Sequence, residues 1–302
     1  MSGDAPGAHS GIAFDRPLLF TIPDCDARGR IVRLGPVLDT ILSAHRYPPP
    51  VKHLLAEALV VTALLGTLLK DGQGQLTVQA QTKGGMVELL VCDFREGELR
   101  GYVRHDLARL PTLGANPPLS ALFGEGYLAV TFDLASTAER YQGIVPLEGS
   151  SLAQAFEHYF RQSEQVPTLI RVAVRSTGQS CVAGGLLIQH LPEGEEGRER
   201  LHVRLDHPAW EHVATIGATV RHDELLDPTL DMEAIVWRLF HEEREIRVTP
   251  GPQLVRGCRC SLEHFCDVIA RFPAEDRAEM RNPEGQIVVD CEFCSRAFVL
   301  PA

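Results

Sequence analysis

The chain has 302 residues, with 29 Lys+Arg against 40 Asp+Glu and a formal net charge of −11. At 44% hydrophobic and 23% charged residues it holds enough apolar material for one large domain or two to three smaller ones, and it falls outside the disordered class. The acidic balance repels a polyphosphate at long range, which argues against a general nucleic-acid or anionic-membrane surface.

Residues 1–14 read as a flexible tail of small and polar residues. The first residues carry neither the basic nor the apolar region of a secretory signal. A helix is predicted over Val51–Leu69, after the break Pro48-Pro49-Pro50. Its apolar positions surround most of its circumference, as in a buried core helix. The longest uncharged apolar run, Ala58 to Leu69, is short of the ~20 residues of a membrane span. A cytoplasmic location, with reduced thiols and no permanent disulfides, is therefore expected.

Strand patterns follow. Leu76, Val78 and Ala80 alternate with Gln75, Thr77, Gln79 and Gln81, and Lys83-Gly84-Gly85 turns the chain into a strand over Met86–Phe94. Gly101–His105 and Tyr127–Leu134 add two more. Ser151 and Gln154 fit a capping box opening a helix with the apolar stripe Leu152, Ala155, Phe156, Tyr159, Phe160. Leu169–Ser176 and Cys181–Gln189 are strands separated at Thr177-Gly178. Strands and helices without regular βαβ alternation predict an α+β core over residues 15–192, with a mixed sheet-and-helix architecture.

From Glu193 to Arg247 there are 14 acidic and 7 basic residues in 55, and five of the twelve histidines. Leu225-Leu226 and Ile235, Val236, Leu239, Phe240 nevertheless give this stretch helical apolar faces, with Trp237 among them and Asp231 placed to cap the second helix. Residues 193–248 thus read as a charged helical linker. Two accounts stay open: a marginally stable segment able to pack on a neighbour or come loose, and an ordinary surface helical subdomain, which composition alone favours. The histidines are assigned no role.

Pro250-Gly251-Pro252 then sets off a C-terminal module over 249–302. Five of the eight cysteines lie in the last 45 residues. Cys258-Arg259-Cys260 and Cys291-Glu292-Phe293-Cys294 are two tight thiol pairs on either side of a loop-forming stretch, the pattern of a tetrahedral zinc site with four thiolate ligands. Such a closed sphere is structural rather than catalytic. The one-residue spacing of the first pair turns Arg259 outward and also suits a strained, reducible disulfide, so the pattern hints at a redox-sensitive site. His264 and Cys266 fall on a helix after Cys260 and are not taken as ligands. A module of this size has little core of its own, so oxidation of its thiolates by peroxide or hypochlorous acid removes both metal and support.

At these residues the sequence resembles the redox-regulated 33 kDa heat-shock chaperone family of the bacterial cytosol. The resemblance is carried by Cys258-Arg259-Cys260-Ser261 with Cys291-Glu292-Phe293-Cys294, by Trp237-Arg238-Leu239-Phe240-His241-Glu242-Glu243, and by Gly184-Gly185-Leu186-Leu187-Ile188-Gln189. Leu147–Ala153 and Gln162–Thr168 also resemble family segments. It implies an ATP-independent holdase, not an enzyme. In the reduced, inactive form one Zn²⁺ per chain is held by Cys258, Cys260, Cys291 and Cys294. Oxidation would form Cys258–Cys260 and Cys291–Cys294 disulfides, eject zinc, unfold the module and free the linker. Apolar surface would then bind unfolding client proteins, and the activated form would be a homodimer. Cys266 lies close enough in sequence to Cys260 to offer an alternative disulfide.

Two other classes were weighed. A zinc-ribbon interaction or nucleic-acid-binding module needs basic residues and stacking aromatics, whereas residues 257–302 hold 5 basic and 8 acidic residues. As an enzyme, Cys291-Glu292-Phe293-Cys294 resembles a thiol–disulfide oxidoreductase motif, but no thioredoxin-like βαβ context precedes it. Asp71-Gly72-Gln73-Gly74 lacks phosphate-loop spacing and reads as a hairpin turn. His105-Asp106 and His222-Asp223 read as solvated neighbours.

Overall fold

The computed structural model describes residues 14–69, 74–112, 117–134, 139–177, 180–191 and 207–300. Two sheets enclose one apolar helix. The first sheet has the order β10-β1-β2-β9-β8, all antiparallel, from β1 (Leu18–Ile22), β2 (Ala27–Leu34), β8 (Thr168–Ser176), β9 (Cys181–His190) and β10 (Arg247–Pro250). The second has the order β11-β5-β4-β3-β6-β7, from β3 (Gln75–Gly84), β4 (Val87–Arg95), β5 (Glu98–His105), β6 (Gly124–Leu134), β7 (Glu139–Pro146) and β11 (Val255–Arg256). The predicted α+β class holds. The glutamines of β3 alternate outward and Leu76, Val78 and Ala80 point into the core, as the period-2 pattern requires.

Helix α2 (Pro49–Gly66) lies between the sheets. Val32, Leu34, Ala183 and Leu187 meet it from one side, and Leu90, Leu99, Val103 and Val130 from the other. It starts two residues before the predicted point because Pro49 and Pro50 occupy the first turn, where no N–H is needed. It ends at Gly66, three residues early, in a tightened turn where Leu68 N–H bonds the Leu65 carbonyl and Leu69 N–H that of Gly66. By length and mean hydropathy (18 residues, 1.2) α2 passes for a membrane span, but 72% of it is buried inside the fold. Helix α1 (Pro36–Leu42), α3 (Leu119–Phe123) and α4 (Leu152–Tyr159) complete this layer. Ser151 caps α4 by accepting the Gln154 N–H at 3.3 Å, whereas the Gln154 side chain reaches one residue further back, to the N–H of Ser150.

The outer face of the first sheet carries the linker helices α5 (Pro208–Ala218), α6 (His222–Leu226) and α7 (Met232–Phe240); residues 193–206 of the predicted linker lie outside the described residues. Val213, Leu225, Ile235, Val236 and Phe240 form a second core with Leu18, Phe20, Ile22, Ile31, Leu186 and Ile188. The rings of Phe20 and Phe240 lie 5.9 Å apart. The linker's apolar faces therefore rest on the first sheet. Adjacent glycines thin β9 for this purpose: a methyl on Gly184 would strike the Leu225 carbonyl, and one on Gly185 would strike Val60 of α2 on the opposite face. Arg33 of β2, 2% exposed, passes under the linker and donates to the carbonyls of Leu225 (2.8 Å), Leu230 (2.9 Å) and Glu224 (3.1 Å). Of the linker histidines, His207 caps α5 through its ring and stacks on buried His190, and His212 bonds Glu243 at 2.7 Å.

After α7 the chain becomes a strap. Residues 247–250 pair with β1 at the edge of the first sheet, and 255–256 pair in parallel with β5 at the edge of the second. Between them Gly251 N–H bonds the Pro17 carbonyl, Leu254 N–H bonds the Asp15 carbonyl, and Leu254 is buried in the main core. Residues that the sequence divides between linker and terminal module thus add strands to both core sheets.

Candidate metal centre

The strap delivers the chain to Gly257, whose N–H bonds the Leu99 carbonyl, and the next residue is the first thiol. Ser261 then caps α8 (Leu262–Ile269) by accepting the His264 N–H at 3.1 Å. This turns the chain away from the thiols and carries His264 and Cys266 with it. Helix α9 (Ala274–Glu279) follows, then β12 (Ile287–Asp290) and β13 (Ala297–Leu300), which pair antiparallel. The turn between these strands holds the second pair. Cys294 and Ser295 both donate their N–H to the Cys291 carbonyl, Cys291 N–H bonds the Arg296 carbonyl, and Ser295 takes the left-handed φ of 55° that closes the loop.

The four Sγ atoms of Cys258, Cys260, Cys291 and Cys294 lie within 4.8 Å of one another, and this is the one such group among the described residues. Cys258 and Cys260 are 3.3 Å apart, Cys258 and Cys291 3.6 Å, Cys260 and Cys294 3.5 Å. A tetrahedron with Zn–S arms of ~2.3 Å has edges of about 3.8 Å. Four sulfurs at these separations fit such an ion, and an all-thiolate set favours a soft or borderline metal. Burial pushes the thiols of Cys260 and Cys291 up. Cys258 moves the other way: against its burial, the Cys260 N–H and the surrounding thiols hold it below the ordinary thiol range. Cys25, Cys92 and Cys181 are buried in the core, outside this group, with thiols raised by burial.

The residues between the ligands seat the module on the second sheet. Arg259 points away from the thiols, as the spacing predicts, but onto the outer face of the second sheet, where it is half-buried. Its Nη2 lies 3.4 Å from Asp93 of β4. Asp93, 4% exposed, also pairs with Arg100 at 2.6 Å and accepts from Thr77 at 2.8 Å. Phe293, between the second pair, lies under the Arg100 guanidinium, 3.9 Å from its ring centroid, with Tyr102 edge-on at 4.9 Å. Ser295 bonds His45 at 2.9 Å. The sequence reading missed this seat, because Asp93, Arg100 and Tyr102 carry only the outward alternation of ordinary strands. Asp93 separates two cations, so Asp93→Asn is expected to loosen the seat more than Arg259→Met. A loss of about 2 kcal/mol, roughly thirty-fold in opening, is read as faster proteolysis within 257–300 at unchanged zinc content. Equal cleavage rates in both variants and wild type would contradict it.

Comparison with known proteins agrees with the geometry. The family profile described as Hsp33 protein matches residues 15–300. The 33 kDa chaperonin of Caulobacter vibrioides is 40% identical over 307 residues, covering 99% of this chain and 98% of that one. The 33 kDa chaperonin of Escherichia coli is 34% identical over 275 residues, covering 91% and 88%. The crystal structure of the 33 kDa chaperonin of Thermotoga maritima superposes with a TM-score of 0.76 at 21% identity, covering 95% of this chain and 94% of that one. With both sheets, the linker helices and the four-thiol module inside the matched span, the chain belongs to the Hsp33 family of chaperones.

Proposed function

We propose that this protein is a redox-regulated, ATP-independent holdase of the cytoplasm, inactive while reduced and metal-bound. The observation that carries the reading is the convergence of four thiols at the end of a strap that also borders both core sheets. Cys258, Cys260, Cys291 and Cys294 would hold one Zn²⁺, which when bound supplies a structural crosslink between the strap and the β12–β13 hairpin.

Activation is thiol chemistry of the chain itself. A cysteine thiolate attacks a peroxide oxygen and breaks the O–O bond, giving a sulfenic acid and hydroxide; its partner thiolate then displaces a second hydroxide to form the disulfide. Each pair gives up two electrons and each peroxide becomes two waters. We assign the disulfides to Cys258–Cys260 and Cys291–Cys294. Four ligands are lost together, and the module loses its main support. The linker helices sit across the core from the module's seat, so release passes through the strap: freeing residues 255–257 loosens the hold on 247–250 and with it α7. The face then bared on the first sheet, Phe20, Ile31, Leu186 and Ile188, is apolar and fit for unfolded clients, and its self-association makes the active form a homodimer.

Reduced protein is expected to carry one zinc per chain and to leave aggregation of a denatured reporter unchanged. Peroxide with mild heating should release the zinc, consume four thiols and suppress that aggregation. An oxidised, metal-free protein with no effect on aggregation would end this reading.

A further inference from the structure

Strand β10 holds its place with little side-chain help. Arg247, Val248, Thr249 and Pro250 lie along β1, with Leu18 opposite Pro250 and Thr21 opposite Arg247, and all four side chains are exposed. The attachment is a main-chain one, and Pro250, opposite Leu18, takes a position of the ladder where no N–H toward β1 is required. The bond from Gly251 N–H to the Pro17 carbonyl sets the alternation of this antiparallel ladder. The main-chain groups of Leu19 and Thr21 therefore face β10, and those of Leu18, Phe20 and Ile22 face β2.

Strand β1 has the opposite character. Its sequence Leu-Leu-Phe-Thr-Ile is rich in strand formers, and Leu18, Phe20 and Ile22 are buried under the linker helices. Because β10 continues directly from the linker, one release event bares both the apolar stripe and the edge N–H and C=O groups of Leu19 and Thr21. An edge of this kind is a template for another strand.

We propose that β1 captures clients by strand addition: an extended segment of an unfolding polypeptide replaces β10, antiparallel to β1. Its main chain bonds Leu19 and Thr21, and every second side chain lies over Leu18, Phe20 and Ile22. This rests on the holdase reading above and names the form of client it takes. The native occupant supports it, since β10 shows that the seat accepts a strand whose side chains are all exposed. Recognition through the main chain suits clients of unrelated sequence, and the stripe selects those with alternating apolar residues over helical ones.

The test uses the oxidised full-length protein and reduced, carboxymethylated α-lactalbumin as a permanently unfolded client, followed by hydrogen exchange. A Val-Thr alternating decapeptide and the same peptide N-methylated at alternate residues serve as competitors. The amides of Leu19 and Thr21 should lose protection on oxidation and regain it with client, while those of Phe20 and Ile22 stay paired with β2. The unmethylated peptide should displace client about tenfold better, as the loss of two or more main-chain hydrogen bonds implies. Client binding with the Leu19 and Thr21 amides still unprotected, or equal competition by the two peptides, overturns strand addition and leaves the holdase standing. Protection that returns without client and grows with protein concentration assigns the edge to a second copy of this chain, which also overturns it. An oxidised protein that suppresses no aggregation removes the holdase reading and this one together.

Discussion

Removing the metal from the fully reduced protein is expected to unfold residues 257–300 while both core sheets stay intact. Helices α8 and α9 contain no buried residue, and the module's own buried apolar side chains reduce to Ile287, Phe298 and Leu300, beside Cys291. Leu262, Phe272, Met280, Val288 and Val299 are all exposed. So small a core does not meet the entropy of ordering the segment. Structural zinc contributes ~10–16 kcal/mol of apparent free energy to modules of this size, and an ion held as proposed would supply most of what holds this one. A chelator strong enough to strip the ion should therefore open 257–300 to proteolysis without any oxidant, and Cys291→Ser should do the same at ordinary zinc levels. The core, buried around α2, should keep its thermal transition. A stripped module that still resists protease would show that its seat on Asp93 and Phe293 suffices, and the metal would lose its structural role.

The site was legible because thiol spacing is a chemical signature that needs no tertiary context: Cys258, Cys260, Cys291 and Cys294 come together as the spacing requires. Periodicity revealed β3, β4, β5, β6 and α4 because each presents one face to the core. Where that relation fails, the sequence was silent. The first sheet's β2 breaks its alternation at Ile31-Val32-Arg33-Leu34, all buried, because β2 is covered on both faces and Arg33 fills a core position with a charge. Strands β7 and β10 are edges with mostly exposed side chains and carry almost no apolar signal. Helix α5 went unseen for the converse reason: only Val213 and Gly217 are buried along it. The strap, which runs from linker to thiols, is made of these silent pieces. Its role comes from main-chain pairing, which side chains do not encode.

Replacement of Arg33 should open the linker with zinc still bound. Its guanidinium, which burial holds below its usual pKa, serves the carbonyls of Glu224 and Leu225 at the end of α6 and of Leu230 before α7. The first two are groups a short helix leaves unpaired at its C-terminus, and the third lies in the turn that follows. In Arg33→Ala they stay covered by the linker's own apolar contacts and lose all three donors. Charge-assisted bonds of this kind contribute about 1.5–3 kcal/mol each when one partner is deleted, and partial relaxation leaves a net cost of about 3–5 kcal/mol. The cost falls on the linker, because undocking lets the carbonyls reach water, while β2 keeps its ladder with β1 and β9. Amide exchange through residues 207–240 should accelerate by at least about a hundredfold, with the zinc content unchanged. If the bared sheet is the client surface, the reduced variant should also suppress aggregation in part, separating the covering of that surface from the redox chemistry proposed to remove it. Arg33→Lys, with one cationic head for three carbonyls, should fall between. Wild-type exchange rates in Arg33→Ala would mean that the contacts of Phe240, Ile235 and Leu225 alone hold the linker closed.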